Sequence, residues 1–420
     1  VIRVRARLGT VLIVGLVASV LVACGNDQPD SPAERRARER QTVERIRLQV
    51  ATVRGLKWKE PLDVRIVSRR DLQEELKALA ARDARPERDQ ADEEILKLLD
   101  LIPDELDLES AIENLLDAQV VGFYDPETKR LFVAGETDGK LSPDTQITVA
   151  HELDHALTDQ HFGFGAFSDA LDADDRQEEL LAYTALIEGD AVLLQSLWAQ
   201  RYLDDAEHGS LGAELGASGL GAVPRYLRES LVFPYTSGLD FAFERYRTTR
   251  SFAGVNAAWQ RPPTSSEEIL HPGRYAEAQQ WQAPALPDLS ATAGCLVVRT
   301  GTLGEFDMRQ LLVGHLTARD AERAVDAWAG DAFAFVRCGE SAALIELWRA
   351  DDVAAASRLD AALSRWARAW SGGRAARDRD GDFVGPDGAG RIVRDGVEVS
   401  MVLSDDADTA ERLAQAVGQM

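Results

Sequence analysis

Apolar and polar residues are arranged along this chain in three patterns. A continuous apolar run, VLIVGLVASVLV, lies near the N-terminus, with no charge from Leu8 to Val22. Val43, Ile46, Val50 and Val53 then recur at helical spacing, which predicts a solvated, Arg/Glu-rich helix over 34–54. Leu62 to Val67 alternates with period two and predicts a strand. Helices are predicted over 71–81, 93–101 and 108–119. The β-prone runs 120–124 and 130–133 flank Asp125-Pro126-Glu127-Thr128 and predict a hairpin. Pro143-Asp144-Thr145 offers a helix start with Asp144 or Thr145 as N-cap. Ile147, Val149, Ala150, Leu153, Ala156 and Leu157 give that helix its apolar stripe.

A second long helix is predicted over 176–202. Residues 204–222 are acidic and Gly-rich and read as a loop, and 223–260 are mixed and aromatic. The Pro-containing stretch 279–290 reads as a linker. Beyond it come a strand at 295–299, helices near 305–315 and 318–329, strands at 332–337 and 342–348 and a helix over 351–370. A Gly/Asp/Arg loop at 371–391, a strand at 397–403 and a helix at 407–417 complete the pattern. The predicted class is α+β: a main domain over 34–278, the linker 279–290 and a smaller α+β domain over 291–420.

Composition narrows the partners. The 420 residues carry a net charge of −24, which argues against nucleic acid and against anionic lipid, since both need a basic face. Three Cys exclude a disulfide scaffold and a Cys-rich zinc module. The apolar N-terminal run follows Arg3, Arg5 and Arg7 and reads as a secretory leader, 1–23. It ends in Leu21-Val22-Ala23-Cys24, which resembles the bacterial lipobox. That resemblance implies lipidation of Cys24, a polar tether over 24–33, and an extracytoplasmic protein held at the bacterial envelope by its lipid anchor. Gly25 after the Cys implies the outer membrane in a Gram-negative host.

The sharpest chemical signal is His151-Glu152-Leu153-Asp154-His155. Residues four apart lie one turn apart on a helix, so both imidazoles can reach one ion. Zinc suits two neutral His, leaving room for a third ligand and a water. Glu152 lies between them and can act as general base on that water. With only 6 His in the chain, a chance match to this pattern is rare.

The run HELDHALTDQHF resembles the active-site helix of the zincin metallopeptidases. The wider run, with the hairpin Gly122-Phe123-Tyr124-Asp125-Pro126-Glu127-Thr128 and the downstream Ile187-Glu188-Gly189-Asp190, resembles a bacterial lipoprotein branch of them. The resemblance covers roughly 60–275 and implies a zinc-dependent peptidase acting on a peptide or protein substrate.

Two residues compete as third ligand. Glu188 sits in a very apolar helix, where an unpaired carboxylate is costly, and matches the gluzincin plan. Asp190 is then expected to orient a His through its other ring nitrogen. His161 has metzincin spacing, but Thr158 stands where that plan needs a Gly, and no Met suits a Met-turn. Glu188 is favoured, with Glu178 and Glu179 as weaker options.

The resemblance also implies that the hairpin strand pairs with an extended substrate. His271 is the leading candidate to stabilise the oxyanion as a catalytic donor, with Tyr275, His208 and Tyr235 as further options. Cys295 and Cys338 are expected to pair outside the cytoplasm, and Asp378-Arg379-Asp380-Gly381-Asp382 lacks the Gly and Glu of a calcium loop. The rival to the peptidase is a non-catalytic zinc-binding envelope lipoprotein that acts as a scaffold. Oligomeric state is not legible.

Overall fold

A computed structural model describes residues 31–112, 120–204, 223–278, 280–289, 294–372, 378, 380–386 and 388–418. The expected leader 1–23, Cys24, most of the tether, His208 and the end of the helix expected over 108–119 lie outside the described residues.

Helix α1 (Pro32–Arg54) starts at a Ser31–Glu34 capping box and stops at Gly55 in the left-handed region (φ 72°). It is less solvated than its composition suggests, because Val43, Ile46, Val50 and Arg54 are buried. Strand β1 (Asp63–Val67) and helices α2 (Arg69–Asp83) and α3 (Pro86–Leu98) follow. The hairpin β2 (Gly122–Asp125) and β3 (Arg130–Ala134) forms around the Asp-Pro turn, with Asp125 accepting from Glu127 N–H and Thr128. β1 adds in parallel to β3, giving the order β1-β3-β2.

Helix α4 (Pro143–Phe162) carries the H-E-x-x-H residues. Its N-cap is Ser142, not Asp144 or Thr145. Pro143 fills the first helical position, where no amide donor is needed, so the start moves toward the N-terminus. α5 (Phe164–Ala173) leads into α6 (Gln177–Tyr202). α6 is long and apolar enough to cross a membrane, but it is buried here as a core helix.

The region left without elements at 223–260 is helical: α7 (Arg225–Thr249) and α8 (Ala253–Gln260). Pro234 and Gly238 inside α7 hide it from propensity, and packing on α6 overrides them. Short helices α9 (Ser266–Leu270) and α10 (Pro272–Glu277) end this half.

The remainder is an antiparallel six-stranded sheet with helices. Its elements are β4 (Leu296–Gly301), α11 (Gly304–Val313), α12 (Ala318–Val325), β5 (Trp328–Cys338), β6 (Ser341–Ala350), α13 (Val353–Trp370), β7 (Asp382–Val384), β8 (Ala389–Asp395), β9 (Glu398–Ser404) and α14 (Ala407–Val417). The strand order is β4-β5-β6-β9-β8-β7. α13 contributes to the core on one face of this sheet and α14 to the core on the other. The loop expected over 371–391 contains β7 and the start of β8, since β8 pairs with β9 and β7 with β8, which overrides its Gly/Asp/Arg composition. Cys295 and Cys338 form a disulfide across β4 and β5.

The core does not stop at 279–290. One apolar cluster joins Leu72, Leu76, Ile95 and Leu227 of the first half to Phe333, Trp348 and Trp366 of the second. A buried Arg299–Asp92 ion pair crosses the same junction. A second cluster, built from α1, α4, α6 and α8, surrounds the H-E-x-x-H helix.

Candidate metal centre

The centre is made where α4 meets α6. His151 and His155 project from successive turns of α4, with ring centroids 4.5 Å apart and planes at 90°. Glu188 faces them from α6. Its Oε2 lies 3.1 Å from His151 Nε2 and 3.4 Å from His155 Nε2. One ligand atom from each of the three falls within 4.8 Å of the others, a spacing that could hold a single metal ion. His151, Glu152 and Glu188 are 0% exposed and His155 is 1% exposed.

Polar atoms at this depth normally have hydrogen-bond partners. Here both ring nitrogens of His155, Glu188 Oε1 and Glu152 Oε1 have none. A His2Glu donor set with buried, unsatisfied atoms fits Zn²⁺, which binds such ligands tetrahedrally.

The surroundings fix several rotamers. His151 Nδ1 lies 3.0 Å from Gln195 Oε1. An Nδ1–H donated there leaves Nε2 as the lone pair facing Glu188. The Phe164 ring meets His155 edge-on at 6.0 Å. Glu152 Oε2 accepts a 2.8 Å bond from the Tyr124 amide of β2, so the hairpin and α4 are joined through the carboxylate itself.

Burial pushes the Glu152 carboxyl up to about 8; the Glu188 charge adds to this, while His151 and the Tyr124 amide oppose it. Burial also raises Glu188, but His155 and His151 more than offset it and hold that carboxyl below its usual range. The Tyr235 hydroxyl lies buried against Glu188. Burial, then the charges of Glu188 and Glu152, push that phenol well above its usual value. The Tyr235 ring stacks near His151, centroids 6.3 Å apart.

The other candidates fall elsewhere. α4 runs unbroken to Phe162 and turns only at Gly163, so His161 stays off the ligand face. Its Nε2 contacts the Lys57 carbonyl at 2.8 Å. Glu178 accepts a hydrogen bond from the Ser266 hydroxyl, and Glu179 pairs with the half-exposed Arg176. His271 is not brought to the centre. Its Nε2 sits 2.8 Å from Glu305 at the start of α11, which ties it to the second half of the chain. Tyr275 donates to the Arg261 carbonyl.

Asp190 orients no His. Its Oδ2 accepts from Arg54 and from Trp259 Nε1, each at 2.7 Å, because a buried guanidinium outcompetes a neutral ring for a carboxylate. Gln195 takes the supporting role instead. It was legible in principle, since seven residues after Glu188 is two turns on the same face. β2 is the edge strand of its sheet and is buried along all four residues, with its Tyr124 amide bonded to Glu152.

Comparison with known proteins reaches only the other half of the chain. Residues 295–414 match a domain of unknown function (DUF8575). No curated protein and no solved structure matches the chain. The matched region holds β4 to β9 and most of α14, and none of His151, His155 and Glu188.

Proposed function

We propose that this chain is a zinc-dependent peptidase of gluzincin type, with a zincin-like fold over 34–278. The observation that carries the reading is the convergence of His151, His155 and Glu188 from two helices, with Glu152 beside them. His151, His155 and Glu188 would hold the zinc. Bound there, zinc supplies Lewis acidity that polarises a peptide carbonyl and acidifies a water.

The protein's own groups do the rest. Next to a bound divalent cation the ionised form of Glu152 would be favoured, and Glu152, anchored through Oε2 on the Tyr124 amide, would then take the proton of a water at Oε1 and deliver it to the leaving amine. Tyr235 replaces His271 as the oxyanion donor, because its hydroxyl is the one placed against Glu188. The membrane-anchored, extracytoplasmic setting implied by Cys24 belongs to the same proposal.

One observation favours the rival, a zinc-binding scaffold without catalysis. The metal-facing residues are sealed from solvent at 0–1% exposure. A peptide bond reaches them only when a covering element moves. The two readings separate in one assay. The zinc-loaded chain is incubated with an unfolded protein and a peptide library, before and after chelation. The peptidase reading expects cleavage that stops with chelator and returns with zinc. Tight zinc binding without cleavage would establish the scaffold.

A further inference from the structure

Arg54 is among the largest fully buried side chains in the molecule, at 2% exposure. Burying a guanidinium costs several kcal/mol unless its donors are paired. Its partners lie on three other elements and none on its own helix. Its Nη2 donates to Asp190 Oδ2 on α6 at 2.7 Å. Its Nη1 donates to Asn256 Oδ1 on α8 at 2.7 Å. Its Nε lies 3.5 Å from Asp154 Oδ1 on α4, a buried ion-pair contact without a hydrogen bond. The guanidinium also sits 4.4 Å over the Phe252 ring, and Trp259 Nε1 supports the same Asp190 oxygen.

Two of these partners are chain neighbours of metal-facing residues. Asp154 immediately precedes His155, and Asp190 follows Glu188 by two residues. One planar fork therefore bridges the helix that carries both His and the helix that carries the Glu. We infer that Arg54 is a positioning residue of the metal centre, fixing how far Glu188 stands from His151 and His155 by clamping Asp190 to Asp154. The inference rests on the reading that the triad binds zinc. A planar guanidinium suits the task, because its donors leave in fixed directions, whereas an ammonium is a compact point charge whose donors rotate freely.

A purely structural Arg54 would only pin the end of α1 to the core. The test separates the two on the full-length chain. Zinc affinity is measured by chelator competition, and the visible spectrum is recorded with Co²⁺ in place of zinc. The variants are Arg54→Met, Arg54→Lys and Asp154→Asn, with Val43→Ala as a control that loosens α1 packing without touching the network.

Arg54→Met is expected to weaken zinc binding about 10–100-fold, the usual cost of losing a supporting group, and to shift the cobalt bands. Arg54→Lys should recover part of both effects, and Val43→Ala should lower the melting temperature with neither effect. If Arg54→Met does not fold, Arg54→Lys and Asp154→Asn still report through the cobalt bands. Variants that melt lower yet keep wild-type zinc affinity and cobalt bands would overturn the inference. A wild-type chain that binds neither metal would instead refute the reading of the triad.

Discussion

Gly189 and Gly238 meet backbone to backbone where α6 crosses α7. A Cβ on Gly189 would lie 2.0 Å from the Gly238 carbonyl oxygen, and one on Gly238 would lie 2.2 Å from the Ala185 carbonyl oxygen. No side chain fits either place. The close crossing is what lets Tyr235, one turn before Gly238, reach Glu188, the neighbour of Gly189. Gly238→Ala must push the helices apart. We expect a loss at or above the upper end of the 1–3 kcal/mol typical of overpacking, together with reduced activity. Denaturant melts of the variant check this; unchanged stability would contradict the crossing.

Glu152→Gln tests the general base. The amide still accepts from Tyr124 and leaves the metal-facing atoms in place, so zinc content should stay at the wild-type level. Hydrolysis should fall by about 10²–10⁴-fold, the range for removing a positioned base. Elemental analysis alongside a peptidase assay reads both arms.

Tyr235→Phe removes one hydroxyl and keeps the ring that stacks near His151. A donor needed only as charge develops affects kcat and leaves KM nearly unchanged. The expected loss is about 10²–10³-fold in kcat. Steady-state kinetics with a cleavable peptide measures the split. An equal loss for His271→Ala would restore that residue to the site.

The junction between the two halves makes stability depend on pH. Asp331 accepts from the amides of Leu303 and Gly304 and from Trp328 Nε1, with Glu346 beside it. Burial, followed by the Asp331 charge, pushes Glu346 well above its usual value of 4.5. Burial likewise raises Glu178 well above its usual range, and it pushes Glu267 up to about 7 against the opposing Arg274. A carboxyl raised by folding binds its proton more tightly in the folded chain. Stability then falls as pH rises from the unfolded value through the folded one. His271, raised by its hydrogen bond to Glu305, loses its contribution in the same direction. Stability should therefore decline from about pH 5 to about pH 8, and Glu346→Gln should flatten the slope. Urea melts across that range check the sign.

How much of this was legible depended on whether the information was local. His151, Glu152 and His155 declare themselves through helical spacing, and Glu188 through its apolar setting, so the sequence reading anticipated the three residues that meet. The hairpin and α6 were equally local. α7 was missed because Pro234 and Gly238 argue against a helix, and only packing on α6 pays for them. β7 and β8 are not legible because pairing of β8 with β9 and of β7 with β8, not composition, makes them strands. The roles assigned to His271 and Asp190 depended on contacts more than 30 residues away in sequence, with Glu305 and Arg54, and no spacing rule reports those.

The most direct test of the central claim is the metal content of the purified chain, paired with ligand variants. One zinc per chain is expected, lost in His155→Ala and in Glu188→Ala and retained in His161→Ala. Wild-type protein without zinc, or zinc retained in Glu188→Ala and lost in His161→Ala, would contradict it.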